Sequence, residues 1–170
     1  TEEKGVETVV QAYEKLQKYT VKIMGDDTTE EAIRLKRYIK EHKIKNIEFL
    51  GFKSGEELED IIKGARFTLI PSIWYDNLPN TALESFQYSK PVIASNIGSL
   101  PELVVDGENG YLFKPADAED LIKKIKLLDD DTVVEKMGAA SRRRLESRFS
   151  PETHYEALMK VFSEAVKNNK

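Results

Sequence analysis

The sequence predicts an α/β domain: a doubly wound parallel sheet with extra helices at its C-terminal end. Three observations lead there. Short apolar runs alternate with stretches whose apolar residues recur at helical spacing, the order expected when helices join parallel strands by right-handed crossovers. One of the runs, Phe67 to Ile70, is too apolar to have one face in water. Beyond Phe113 only helical patterns follow.

Taken in order, Val6, Val9, Val10, Tyr13 and Leu16 form one helical stripe, so a helix begins almost at residue 1. Tyr19 to Met24 reads as a strand closed by Gly25. Thr28 or Thr29 caps a helix whose stripe is Ala32, Leu35, Tyr38, Ile39 and His42. Asn46 to Leu50 is a strand closed by Gly51. Ser54 and Glu57 have capping-box spacing ahead of a helix that buries Leu58, Ile61 and Ile62 and ends at Gly64. Phe67 to Ile70 is expected in the middle of the sheet, Asn80 to Tyr88 as the next helix and Pro91 to Ala94 as the next strand. Gly98 to Val105 reads as a brief helix, Asp106 to Gly110 as a turn and Tyr111 to Phe113 as a small edge strand. Three helices close the chain: Ala118 to Leu128, Thr132 to Phe149, and Pro151 to Val166, the last opened by Ser150 and Pro151. A polar tail occupies residues 167–170.

The 170 residues fit one domain with a sizeable core. Lys plus Arg number 26 against 30 Asp plus Glu, a net charge of −4, which gives no general attraction to nucleic acid or to an anionic membrane. The absence of cysteine excludes disulfides and thiolate metal sites. The two histidines, His42 and His154, lie far apart in sequence, so no metal site is expected. No apolar run approaches a membrane span and the N-terminus lacks the pattern of a signal peptide, so the expected location is the cytoplasm.

The chemistry concentrates in Pro71 to Glu84, PSIWYDNLPNTALE. A buried strand runs into a loop carrying Asp76, and the loop runs through Pro79 into a helix carrying Glu84. Ligands of open α/β sheets bind beyond the carboxyl ends of the strands. A helix N-terminus there offers free N–H groups, from Asn80, Thr81 and Ala82, to an anion such as phosphate. Pro79 suits the first helical turn. Glu84, about one turn deeper, has the reach to accept two hydrogen bonds from vicinal hydroxyls such as those of a ribose, and Asp76 to hold a second hydroxylated group. A phosphate between two diols outlines a nucleotide sugar.

KGVETVVQAY, YTVKIMG, NIEFLGF, DNLPNTALESF, KPVIAS and PELVVDGENGYLF occur in the order found in the C-terminal domain of GT-B glycosyltransferases. The chain resembles the retaining family 4, the glycosyl transferase group 1 domain, over about residues 4–165. The resemblance implies a Rossmann-like domain that binds the nucleoside-diphosphate sugar, of UDP or GDP type, for transfer of a hexose with retention to a glycan or lipid acceptor, without metal, nicotinamide or haem. It implies that Asp76 contacts the donor sugar, that Glu84 holds the ribose, that Asn80, Thr81 and Lys4 meet the diphosphate, and that the base packs at Phe52 to Ser54. The candidate site is then Asp76 and Glu84 as the catalytic carboxylates, with Lys4, Gly25, Phe52, Lys53, Leu78, Pro79, Asn80 and Thr81 binding the donor. Relatives also have a strand ending in Gly-Arg just before the Lys4 segment, central in the sheet, and an N-terminal acceptor-binding half. Neither lies within these residues, so the resemblance implies one half of a longer two-domain enzyme, inactive by itself. The chain departs from the family at Asp76, where Glu is commoner, and at Ser89 and Ser99, where glycines are usual.

Plainer readings stand beside these. Asp76 is also placed to pair with a free N–H of the next turn, Lys4 to be a solvated lysine, and Trp74 and Tyr75 to pack, stack on a ligand or form a lid. Arg142 to Arg144 read as one solvated turn, or as a patch for a membrane-lipid acceptor. Two other functions fit part of the chain. One is a non-catalytic nucleotide-binding or regulatory domain, favoured by Ser89 and Ser99. The other is a two-component receiver domain built on Asp26, Asp27 and Lys90.

Overall fold

The computed structural model describes residues 2–168. A 3-10 turn, Glu2–Lys4, leads into α1 (Val6–Lys15). Then follow β1 (Val21–Met24), α2 (Glu30–Glu41), β2 (Ile47–Gly51), α3 (Gly55–Gly64), β3 (Thr68–Ile70), α4 (Asn80–Gln87), β4 (Val92–Ser95), α5 (Leu100–Leu103), β5 (Gly110–Phe113), α6 (Ala118–Lys126), α7 (Asp131–Arg148) and α8 (Pro151–Asn168). Every expected element is present, with ends displaced by a residue or two. Of the polar tail, Lys167 lies within α8, and residues 169–170 lie outside the described residues.

All the strand pairings are parallel, and they fall into two ladders: β1 with β2, and β3–β4–β5. β4 is the strand buried on both faces, and its two-residue period sorts the core. Ile93 points into a cluster with Val9, Ala12 and Tyr13 of α1 and Leu121, Ile122 and Ile125 of α6. Val92 and Ala94 point the other way, to Ala82 and Phe86 of α4 and Leu100 and Leu103 of α5. Helices therefore cover both faces, as the apolar strands required.

β3 is not central among the described strands. It pairs with β4 alone, and only Ile70 of its three residues is fully buried. Its other side faces a cavity of about 1010 Å³, lined by Val21 to Met24 of β1, Thr68 to Ile70 of β3, Val6, Val9 and Tyr13 of α1, and Leu58, Ile61 and Ile62 of α3. The two ladders thus stop short of each other across an apolar space, and β3 stays half-exposed although its sequence is that of an interior strand.

Capping departs from expectation once. Thr29 accepts the Ala32 N–H at 3.2 Å and Ser150 accepts the Thr153 N–H, as their positions suggest. Ser54 starts α3 without a side-chain cap, and the Glu57 side chain pairs with Lys53 rather than reaching back to the N-cap.

At the far end of α4, Ser89 adopts φ 53°. The Ser89 N–H donates to Phe86 O and the Lys90 N–H to Ser85 O, a Schellman closure that favours glycine at this position. This explains the family's glycine there without reference to a ligand. Ser89→Gly is expected to raise stability by about 0.5–1 kcal/mol, the left-handed strain of a residue with a Cβ less the backbone entropy a glycine loses on folding. A urea midpoint that stays constant or falls, at constant m-value, would count against this account.

Candidate functional site

The site begins with a backbone contact between distant parts of the chain. The loop leaving β3 donates the Ile73 N–H to Glu3 O at 2.9 Å. Gly5, the N-cap of α1, lies so close to Pro71 that a Cβ there would sit 1.9 Å from the Pro71 carbonyl oxygen; its φ is 64°. Only glycine meets both conditions. With residues 3–5 docked on residues 71–73, Lys4 Nζ reaches Asp76 Oδ2 at 2.9 Å. Ser72, buried just past β3, donates to the same oxygen at 3.1 Å.

The Lys4 ammonium first, and the Ser72 hydroxyl with it, hold the Asp76 carboxyl below the usual aspartate range against the opposing effect of burial. Asp76 is therefore an ionised acceptor at neutral pH. Its plainer reading, pairing with a free N–H of the next turn, does not occur: α4 has no side-chain cap, and Asp76 bonds to Lys4 and Ser72.

Pro79 is the N-cap of α4 rather than part of its first turn, with φ −69° and ψ 109°. Its carbonyl accepts the Ala82 N–H at 3.0 Å, which removes Ala82 from the expected anion donors. The N–H groups of Asn80 and Thr81 have no acceptor among the described residues. One turn along, Glu84 is half-buried, lines the cavity between β1 and β3, and has neither hydrogen bond nor ion pair to a described residue. Lys4, Lys53, Ser72 and Thr81 line the same space.

The remaining candidates stand at or beyond its margin. Gly25 closes β1, with its N–H on Gly51 O, and is not part of the cavity wall. Phe52, Trp74, Tyr75 and Leu78 are exposed. Lys53 reaches the wall while paired with Glu57.

Sequence reasoning missed Gly5 and Ser72, and it marked Ser99 as a departure from the family without its partner, Asp76. Gly98, with φ 58°, would bring a Cβ to 3.1 Å from Asp76 O, and the Ser99 hydroxyl donates to that carbonyl at 2.9 Å. A glycine directly before a helical stripe was a visible signal for Gly5. No local signal pairs position 99 with position 76.

Other clusters are used structurally. Arg142 donates to Gln87 O and Arg144 to Glu102 O, tying α7 to the ends of α4 and α5. His42 bonds Glu14 and stacks on Tyr38, while His154 is exposed. Asp26 accepts from the N–H and hydroxyl of Thr28, and Asp27 pairs with Lys36, so the two acids that would mark a receiver domain are turned to separate partners. A smaller cavity of about 510 Å³, lined by Gln11, Glu14, Lys15, Tyr38 and Lys114 to Glu119, contains none of the candidate residues. Among the described residues no cluster of three or more His, Asp or Glu is placed to hold a metal ion, and no helix is long and apolar enough to cross a membrane.

The lowered Asp76 value sets a sign for acid stability. The Lys4–Asp76 pair stabilises the fold fully above the unfolded aspartate value of about 4, and its contribution is lost as pH falls through the lower folded value. The side chains are 58% and 28% exposed, so Asp76→Asn is expected to cost at most about 1 kcal/mol at pH 7. The cost should shrink progressively as pH falls below the unfolded aspartate value, as measured by paired urea melts. A cost that is constant or grows with acidity would exclude the pair as its source.

Comparison with known proteins places this geometry. The family described as glycosyl transferases group 1 matches residues 1–144. An uncharacterized glycosyltransferase of Methanocaldococcus jannaschii is 28% identical over 95% of this chain and 45% of its own. Glycogen synthase of Mycobacterium tuberculosis is also 28% identical, over 99% of this chain and 41% of its own. The chain therefore spans less than half the length of these relatives. Among solved structures, sucrose-phosphate synthase from Thermosynechococcus elongatus superposes with a TM-score of 0.86 at 25% identity, over 99% of this chain and 44% of its own. HepE of Anabaena, in complex with UDP and glucose, shares the fold with a TM-score of 0.86 at 20% identity, over 96% of this chain and 46% of its own. Parallel ladders between helices, a loop-to-helix turn carrying two carboxylates, and a sequence match over most of the chain all agree: the protein belongs to the glycosyl transferases group 1 family, with the GT-B Rossmann-like fold.

Proposed function

We propose that this domain binds the nucleoside-diphosphate sugar of a retaining hexosyltransferase, and that the acceptor, a glycan or a lipid-linked sugar, is held by a second half outside these residues. The observation that carries the reading is Glu84: a half-buried carboxylate with no partner among the described residues, one turn inside a helix whose first N–H groups are free. A carboxylate that no described residue engages has its full accepting capacity left for a ligand.

Glu84 accepts the two ribose hydroxyls, and the Asn80 and Thr81 N–H groups with Lys4 hold the diphosphate. Asp76 accepts a hydroxyl of the sugar, and the base lies toward Phe52 to Ser54. The donors at the diphosphate matter most as the glycosidic bond breaks and negative charge moves onto the leaving nucleotide, so they favour the transition state over the ground state. In this reading the reaction draws on no metal or redox cofactor and takes place in the cytoplasm. The domain alone binds the donor and transfers little, for want of the acceptor half.

Calorimetric titration with UDP, GDP and ADP and their glucose conjugates tests the assignment. One diphosphate is expected to bind. Glu84→Ala should weaken it by about 10- to 100-fold, the loss of hydrogen bonds to a charged acceptor. Asp76→Ala should remove the additional affinity that the sugar confers without weakening the bare diphosphate, since it also frees Lys4 from its ion pair. Equal binding before and after Glu84→Ala would remove the ribose role and, with it, the donor-site reading.

A further inference from the structure

We propose that Ser99 is the positioning residue for Asp76, and that through it this chain sets how strongly the site discriminates a sugar-bearing nucleotide from the bare diphosphate. The inference rests on the donor-site reading and adds to it a residue that contacts no expected part of the donor.

The loop between β3 and α4 has few anchors. Residues 73–75, 77 and 78 are exposed, and the backbone is held by the Ile73 N–H at one end and the Ala82 bond to Pro79 O at the other. Between those ends, the main chain of the loop is fixed at Asp76 O, and both donors come from Ser99: the hydroxyl at 2.9 Å and the N–H at 3.4 Å. Ser99 stands at the N-cap of α5, where a serine hydroxyl ordinarily bonds the helix it starts, yet it makes no cap bond and turns to Asp76 instead. Gly98 permits that approach by bringing its backbone against residues 75 and 76.

The carboxylate end is held separately, by Ser72 and Lys4. Those two contacts differ in permanence. Lys4 is the group a diphosphate draws away, because a doubly charged anion competes with one carboxylate for the ammonium. Once Lys4 leaves, Asp76 is oriented by Ser72 at the side chain and Ser99 at the backbone. A glycine at position 99 has no hydroxyl and would leave the weaker N–H contact alone. The serine therefore preorganises the acid at the moment its counter-ion is withdrawn, which lowers the ordering cost of binding the sugar.

The test compares wild type, Ser99→Ala and Ser99→Thr, with UDP against UDP-glucose, or the GDP or ADP pair where that base binds. Ser99→Ala is expected to lower the affinity ratio of sugar conjugate to bare diphosphate by about threefold to tenfold, the effect of one neutral hydrogen bond, with diphosphate affinity unchanged and Ser99→Thr restoring the ratio. A ratio unchanged in Ser99→Ala, or an equal loss for both ligands, overturns the inference while the donor-site reading stands on Glu84→Ala. A second readout needs no ligand. Trp74, the only tryptophan and exposed on the same loop, should show faster fluorescence anisotropy decay in Ser99→Ala at an unchanged melting temperature. An unchanged decay overturns the tether itself. If wild type binds no diphosphate, the donor-site reading fails and takes the ligand role with it, whatever Trp74 reports.

Discussion

The site depends on the contact between residues 3–5 and residues 71–73. Two backbone segments separated by most of the β-rich half of the chain meet through one hydrogen bond and one glycine. That contact starts α1 over the core face built around Ile93, and it sets Lys4 against Asp76. The same junction thus serves packing and chemistry. A side chain at Gly5 would push the two segments apart and separate the ion pair.

Charge at the site is arranged in two unlike pieces. Asp76 is neutralised by Lys4 and Ser72 and so is stable while empty. Glu84 has no partner among the described residues and stays partly hydrated at the cavity edge. A satisfied carboxylate must exchange a partner to take a ligand, whereas an unsatisfied one only loses water. The difference makes Glu84 the better marker of the ligand's place and Asp76 the better place for control.

The split between the two ladders is the main feature that sets this sheet apart from a continuous one. β3 has the sequence of an interior strand and β1 alternates half-buried with exposed residues, and each has an edge turned to the cavity between them. Residues of α1 and α3 line the same space, and several candidate residues, Lys4, Lys53, Thr81 and Glu84, share its wall.

Sequence alone determined the element order, the parallel α/β class, a cap at Thr28 or Thr29 and one at Ser150, and the loop-to-helix segment bearing Asp76 and Glu84. These are local consequences of apolar period, glycine and proline placement, and side chains bonding within three or four residues. Tertiary structure decided the rest. The interior pattern of β3 was legible, but its actual neighbour was not, because periodicity reports burial and not pairing. The two serines that stand where the family has glycine also separated only in three dimensions: Ser89 closes a helix away from the site, while Ser99 bonds Asp76 across 23 positions of chain. Lys4 and Asp76 were each recognisable, but not as partners, since no local rule reaches 72 residues along a chain to say which charges will neutralise each other.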